Sequence, residues 1–420
     1  MVALTALLMA LASPRPHATL VSSEPAADAV LTASPARFRL VFSEPIDVAL
    51  SSLAVEGAGG AESRLVVEAD PRDVHALIAR VQPLAPNAYR VRWRVVSADG
   101  HPVSGTFAFR IGEAAPRADK VATAVPVMPP PPAADSLGAT PPGGLTLWKA
   151  PVVAALLRGL ALAALMSLGG LLALGEWLLP HAGGSAVRLA PWLAAAALAL
   201  LALHAFAWSS VATDGGGLSG GFAALTSSGS GQRELLRVGF ALLALWAVAL
   251  ARRRGIAALC ALLALVVSGA VGHPAAIQPL AAIPSKTLHL LGGAVWLGGL
   301  LWIVLADRTH PRYVEGARRI SSFALVAVLI VAATGLAQML LFLPAPSGVV
   351  RSPYGLLSLA KIAGLLVLVA FGAYHRYRLL PRLAPTAAAT ALSLRASVRA
   401  EVGVMLLVIL IGGLLAYVPP

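Results

Sequence analysis

A small antiparallel β-sandwich followed by an all-α bundle of eight transmembrane helices is the fold class this sequence predicts. Three observations carry it. The 420 residues are 58% hydrophobic and 12% charged, with a mean hydropathy of +0.80, a balance that water tolerates poorly and a bilayer accepts as helices of about 20 apolar residues. Residues 17–113 alternate polar and apolar positions in short runs punctuated by Pro and Gly. Beyond a proline-rich break, eight apolar stretches recur to the end of the chain.

The first 16 residues hold an apolar run, Val2 to Ala12, ending in Ala10-Leu11-Ala12, and so resemble a secretory signal with a small-residue cleavage site. The run is short and has no basic start, and Ser13-Pro14-Arg15-Pro16 stands before His17. Three alternatives stay open: a misassigned start codon, cleavage and trimming to His17, or retention of the segment. In the sandwich, strands are expected at 38–42, 52–55, 65–67, 88–95 and 105–110. Tyr89, Val91, Trp93 and Val95 fall on one face, with Arg90, Arg92 and Arg94 on the other. That period of two marks a half-buried antiparallel strand. Residues 114–147 are rich in Pro and Ala, including Pro129 to Pro132, and read as a semi-rigid polyproline spacer.

The membrane half, 148–420, has apolar segments at about 151–179, 189–212, 235–251, 256–275, 286–306, 320–343, 357–379 and 400–418. Basic residues gather in alternate connections: Arg188; Arg252, Arg253 and Arg254; Arg308, Arg312, Arg318 and Arg319; and Arg376, Arg378, Arg382, Arg395 and Arg399. The positive-inside rule then puts the soluble domain and the C-terminus outside the cytoplasm, in the inner (cytoplasmic) membrane. These clusters also account for the formal net charge of +13, so the lipid bilayer is the expected partner and nucleic acid is not. The single cysteine, Cys260, lies inside an apolar run and excludes both a disulfide framework and a thiolate cluster within the chain.

Metal chemistry is suggested by histidines. Asp99 and His101 are two residues apart, so an extended segment sends both side chains off one face. Were His17 N-terminal, its amine and imidazole would add two nitrogens, and an N,N,N,O set suits tetragonal Cu(II). His75, in a charged stretch, reads as a solvated loop residue. Within the membrane half, His204, His273 and His289 lie at similar outward depth on separate segments and form a candidate metal entry path. Met166, Gln338 and Met339 could extend it, although methionine in a membrane helix is commonly filler. Lys361 is expected to snorkel, and Arg158, Glu176 and Glu401 to serve as ion partners or interfacial groups.

Two resemblances sharpen this. His17-Ala18-Thr19-Leu20, Ser23-Glu24-Pro25-Ala26, Phe42-Ser43-Glu44-Pro45-Ile46 and Ser97 to Gly105 occur in order and resemble the CopC family of periplasmic copper-binding domains, whose fold is an Ig-like or cupredoxin-like sandwich. The resemblance implies Cu(II) held by the amine and imidazole of His17, by Asp99 and by His101, with Glu44 orienting the first imidazole. The segment has no methionine, so a second, methionine-rich Cu(I) site is not expected. Gly272-His273, His289 to Leu300, Arg319-Ile320-Ser321, Thr334-Gly335, Tyr354 to Leu357, Lys361, Phe371 to Arg376 and Arg399-Ala400-Glu401 resemble the CopD family of copper-resistance membrane proteins. His375 stands where asparagine is expected and faces the cytoplasm.

The function expected is copper binding and copper import: the sandwich captures Cu(II) outside, and the membrane domain conducts Cu(I) or Cu(II) inward. Periplasmic copper donors or reductants are the implied partners. No phosphate-binding Gly-x-x-x-x-Gly-Lys-Ser/Thr loop and no Cys-x-x-Cys occurs, so neither ATP hydrolysis nor a thiolate relay is written into the chain, and an enzyme is not expected. The alternatives are extracytoplasmic sequestration for copper resistance, a haem-binding membrane redox protein, and a copper oxygenase built on an N-terminal histidine, against which the fourth ligand Asp99 speaks.

Overall fold

The computed structural model describes residues 18–57, 60, 62–98, 100–112, 150–179, 186–213, 217–276, 278–342, 349–350, 352–384 and 388–418. The signal-like segment, His17, Asp99 and the proline-rich spacer lie outside the described residues.

Two sheets make the sandwich. One has β1 (Leu20–Glu24), β3 (Arg37–Phe42), β7 (Asp73–Arg80) and β6 (Val67–Asp70) in the order β1-β3-β7-β6. The other has β2 (Val30–Leu31), β9 (Pro102–Ile111), β8 (Asn87–Ser97), β4 (Ile46–Gly57) and β5 (Glu62–Leu65), in the order β2-β9-β8-β4-β5. Every pairing is antiparallel save β2 with β9, which is parallel, a departure from the all-antiparallel expectation. Alternation on β8 is as expected, with Val91, Trp93 and Val95 buried against Phe38, Leu40, Phe42 and Phe107. Outside, Arg92 pairs with Glu56 and Glu62.

Two sequence expectations fail here for physical reasons. The segment 65–67 is not one strand: β5 and β6 belong to different sheets, and Val66, 78% exposed, lies where the chain crosses between them. His75 is not in a loop. It sits on β7, in a stretch whose charge hides the alternating buried positions Leu77 and Ala79, and its Nδ1 lies 3.1 Å from Asp73 Oδ1.

The second half is helical: α1 (Ala150–Ala173, continued by a π-turn to Leu178), α2 (Ala190–Ala212), α3 (Gly217–Ser227), α4 (Gly229–Ala249), α5 (Arg254–Gly269), α6 (Pro279–Leu305), α7 (Tyr313–Phe342), α8 (Pro353–Tyr374) and α9 (Ala388–Leu415). Six helices among the described residues are long and apolar enough to cross a membrane, those of α1, α2, α6, α7, α8 and α9. The segments expected at 235–251 and 256–275 lie on α4 and α5. The first carries Arg233, Glu234 and Arg237 near its start, and the second runs only 16 residues. The short helix α3, with Leu218 and Phe222 exposed, was not expected at all.

Helix α1 is the hub, its spanning window 72% buried against at most 56% for the other spans. It gets that close to α6 through glycine. Gly298 packs directly on the Gly170 backbone, where any Cβ would collide, the close approach that small residues allow between membrane helices.

Candidate copper path at the domain junction

The sandwich presents one end to the membrane half. There three of its segments converge. Thr19 N–H donates to Ser43 Oγ at 2.9 Å and its carbonyl accepts from Ser43 N–H at 2.9 Å. Ala98 N–H donates to the Pro45 carbonyl at 2.8 Å, and Ser97 N–H to the His101 carbonyl at 3.0 Å. The chain following His17, the corner holding Glu44 and the turn holding His101 are thus fastened to one another by backbone hydrogen bonds, the local reason the three motifs act as a unit.

That end sits on the tips of several helices. Arg94 Nη2 donates to the Ala212 carbonyl at the end of α2 at 2.6 Å, and Asp47 Oδ2 accepts from Gly229 N–H at the start of α4 at 3.0 Å. Burial pushes the Asp47 carboxyl pKa up, against the opposing pull of the Ser230 and Gly229 backbone N–H groups. Trp208 Nε1 donates to the Gly100 carbonyl at 3.2 Å. Gly100 has φ +92°, and a Cβ there would lie 2.7 Å from Trp208 Nε1, so glycine is demanded both by the turn and by the indole beneath it.

His101 is 9% exposed and points into this junction. Its ring lies 6.1 Å from that of His273, at an interplanar angle of 19°, and 5.0 Å from Tyr417, edge to face. His273 opens a single helical turn between α5 and α6, is 4% exposed, and has Tyr354 and Phe342 beside it. Below it lies a cavity of about 400 Å3 whose wall also includes His289, Met166 and Met339. His289 Nδ1 lies 3.1 Å from Thr334 Oγ1.

His204 is placed differently. Its Nδ1 lies 3.1 Å from Glu234 Oε2 and its Nε2 3.1 Å from the Tyr417 hydroxyl. Arg237 Nη1 donates to both Glu234 oxygens at 2.7 Å. Both imidazole nitrogens are therefore engaged, and His204 lines neither the cavity nor the small pocket bounded by His101, Trp208, Glu234 and Tyr417. Lys361, expected to snorkel, instead lines the cavity, and Arg158 is buried with Nη2 on the Val271 carbonyl at 2.8 Å.

Sequence reasoning missed Tyr417, Trp208, Glu234 and Met405. Aromatic and acidic residues at helix ends carry no local motif; the clue to Glu234 was the break in hydrophobicity at Arg233 to Arg237. Among the described residues no three His, Cys, Asp or Glu side chains form a ready metal cluster. His101 and His273 nevertheless bring two imidazoles from the two halves together, and imidazole takes copper in either oxidation state.

Known proteins match both halves. The CopC domain model matches residues 20–112, and the Copper resistance protein D model matches residues 314–415. Copper resistance protein C of Escherichia coli is 36% identical over 105 residues, 23% of this chain and 81% of that protein. The chain is a CopC-CopD fusion. It is also similar to the copper transport protein CutJ of Bacillus subtilis, 33% identical over 104 residues, a match covering 23% of the fusion and only 18% of CutJ. The crystal structure of PcoC, a methionine-rich copper resistance protein from Escherichia coli, matches at 30% identity over 23% of the fusion and all of PcoC, with a TM-score of 0.21. The fusion thus joins a sandwich matching the CopC domain to a multi-pass membrane domain matching Copper resistance protein D.

Proposed function

We propose that the fusion imports copper across the cytoplasmic membrane, the sandwich taking Cu(II) on the outer face and delivering it through His101 to His273 and the cavity beneath. The stacking of His101 on His273 at 6.1 Å carries this reading. A capture domain serving sequestration alone has no need to point its ligand at a buried histidine of the membrane half. Cu(II) is held in this scheme by the nitrogens of His17 and His101 and the carboxylate of Asp99, with Glu44 behind the first imidazole; the copper is cargo.

The orientation follows from charge. Arg188, Arg252 to Arg254, Arg308 to Arg319 and Arg376 to Arg399 lie in connections or on helix segments beside them, at the side away from the sandwich, which supports eight crossings with sandwich and C-terminus outside. Helices α4 and α5 supply the third and fourth crossings, with the Glu234 and Arg237 charges cancelling one another inside. No catalysis is required: ligand exchange from imidazole to imidazole moves the ion, and the thioethers of Met166 and Met339 favour Cu(I) if a donor outside has reduced it. A haem site on His204 is disfavoured because both its nitrogens are engaged.

Copper accumulation in cells separates the outcomes. His101→Ala and His273→Ala should each lower cytoplasmic copper to the level of cells lacking the protein. If His101→Ala lowers only envelope-bound copper and His273→Ala changes nothing, the fusion sequesters and does not transport.

A further inference from the structure

The cavity under His273 is oddly charged for a cation path. Lys286 and Lys361 line it from α6 and α8, together with Arg158, and among the described residues no carboxylate does. Lys286 donates through Nζ to the Val271 carbonyl at 2.5 Å, and Lys361 makes no hydrogen bond or ion pair to any described residue. The two buried acids of the membrane half are committed elsewhere, Glu234 to Arg237 and His204, Glu401 to Trp296 and His375. An ammonium at membrane depth is normally paired or drawn to the interface. Here, among the described residues, Lys286 finds only a backbone carbonyl and Lys361 no partner, and neither meets a carboxylate.

Most of the remaining wall is apolar, with His273, His289, Gln338, Tyr354 and Ser358 as its polar members, and it reaches the exposed surface at α7 and α8. Leu336 on α7 is 59% exposed and Ile362 on α8 40% exposed, and both belong to the cavity wall. Exposed leucine and isoleucine on membrane helices face lipid tails. A volume of about 400 Å3 lies within the range of small-molecule sites, roughly 300–1,000 Å3.

From this acid-free pair of lysines in a laterally open apolar cavity, we infer that the membrane half binds an amphiphilic anion, its carboxylate or phosphate head on Lys286 and Lys361 and its apolar body along Leu162, Leu336, Ile362 and Leu365. The anion enters from the bilayer between α7 and α8. Its charge satisfies the two ammonium groups by charge-assisted hydrogen bonds, which no protein carboxylate does. A consequence, resting on the import reading, is that the bound anion cancels the positive field a copper ion otherwise meets on leaving His273.

The test uses the full-length protein in nanodiscs of neutral phosphatidylcholine, without copper, so its failure leaves the import reading standing. Trp296 also lines the cavity, and brominated amphiphiles quench tryptophan on contact. Three probes are titrated: a dibrominated fatty acid, a dibrominated phosphatidylglycerol and a dibrominated fatty alcohol. Saturable quenching by the fatty acid or by the phosphatidylglycerol, absent in Trp296→Phe, is expected, and the stronger of the two tells whether a carboxylate or a lipid phosphate is the natural head. The double variant Lys286→Gln/Lys361→Gln should weaken it by about tenfold or more, equivalent to about 1.4 kcal/mol, while Lys361→Arg, which keeps the charge and controls for folding, retains it. The inference is overturned if the uncharged alcohol competes equally well, or if the glutamine variant, folded as judged by an unchanged melting midpoint, binds either anion as tightly as wild type.

Discussion

Among the described residues the helical half buries two histidine-carboxylate pairs, one towards each end, and they do different work. At the sandwich end, His204 meets Glu234 at 3.1 Å; at the opposite end, His375 meets Glu401 at 3.1 Å. The far pair is closed on itself: Trp296 Nε1 donates to Glu401 Oε1 at 3.2 Å and Ser397 Oγ lies 2.8 Å from His375 Nε2. The near pair is open at both ends. Glu234 carries the charge of Arg237, and His204 reaches through the Tyr417 hydroxyl to a ring that packs edge-on against His101. The same two residue types thus fasten helices at one end and, at the other, tie a buried charge to the junction between the sandwich and the helical half.

The largest effect separating the two pairs should come from neutralising each acid. Arg237 is fully buried, and its Nε and Nη2 have no hydrogen-bond partner, so Glu234 alone offsets its charge among the described residues. Glu234→Gln strands that guanidinium and should cost about 3–5 kcal/mol, as breaking a buried pair does. Glu401→Gln keeps an oxygen for Trp296 and should cost about 1–3 kcal/mol, the range for one impaired buried hydrogen bond. Thermal unfolding of both variants in the same detergent checks the order. Equal losses would mean the near pair is no more than a helix fastener.

A smaller and more selective effect is expected at Tyr417. In neutral His204, Nδ1–H donating to Glu234 leaves Nε2 to accept the Tyr417 O–H. Tyr417→Phe removes that bond but keeps the ring against His101. Stability should fall by about 0.5–1.5 kcal/mol, and copper affinity of the sandwich should stay as it was, because the ring contact is retained. Truncation to Ala removes the ring as well and should change the copper spectrum of the junction. A Phe variant as perturbed as the Ala variant would assign the effect to the hydroxyl and draw His204 into the copper path directly.

How much of this was readable in the sequence follows from the range of each interaction. The sandwich was readable because a period of two persists along β8 and because the corner at Glu44 and the turn at His101 carry local motifs. His273 and His289 stood out because polar groups in apolar helices are rare. What escaped was longer in range: β7, whose charged start masks its alternation; α3, too short for a span; and the Glu234, Tyr417 and Trp208 contacts, whose partners lie 30, 213 and 108 residues away in sequence. The lysines were visible as residues. Their shared, acid-free cavity depends on how α6 and α8 pack, which no single segment encodes.

The smallest effect concerns how firmly the sandwich sits on the near end, and it carries a sign. Asp47 has its pKa raised in the docked protein, chiefly by burial against the start of α4. Undocked and solvated, it titrates near about 4. The docked state therefore holds its proton to higher pH than the undocked state, so docking is strongest below the undocked value and weakens as pH climbs through the window between the two pKa values, above which the difference is constant. Asp47 is the sandwich carboxylate that accepts from the start of α4, while the far pair has no sandwich to hold. Hydrogen exchange at the Gly229 and Ser230 amides, followed across the acidic range, should show protection falling as pH rises once intrinsic exchange is corrected. Asp47→Asn, which cannot titrate, should flatten that dependence while exchange near Glu401 stays unchanged. If the wild-type dependence survives in Asp47→Asn, another titratable group sets the docking equilibrium.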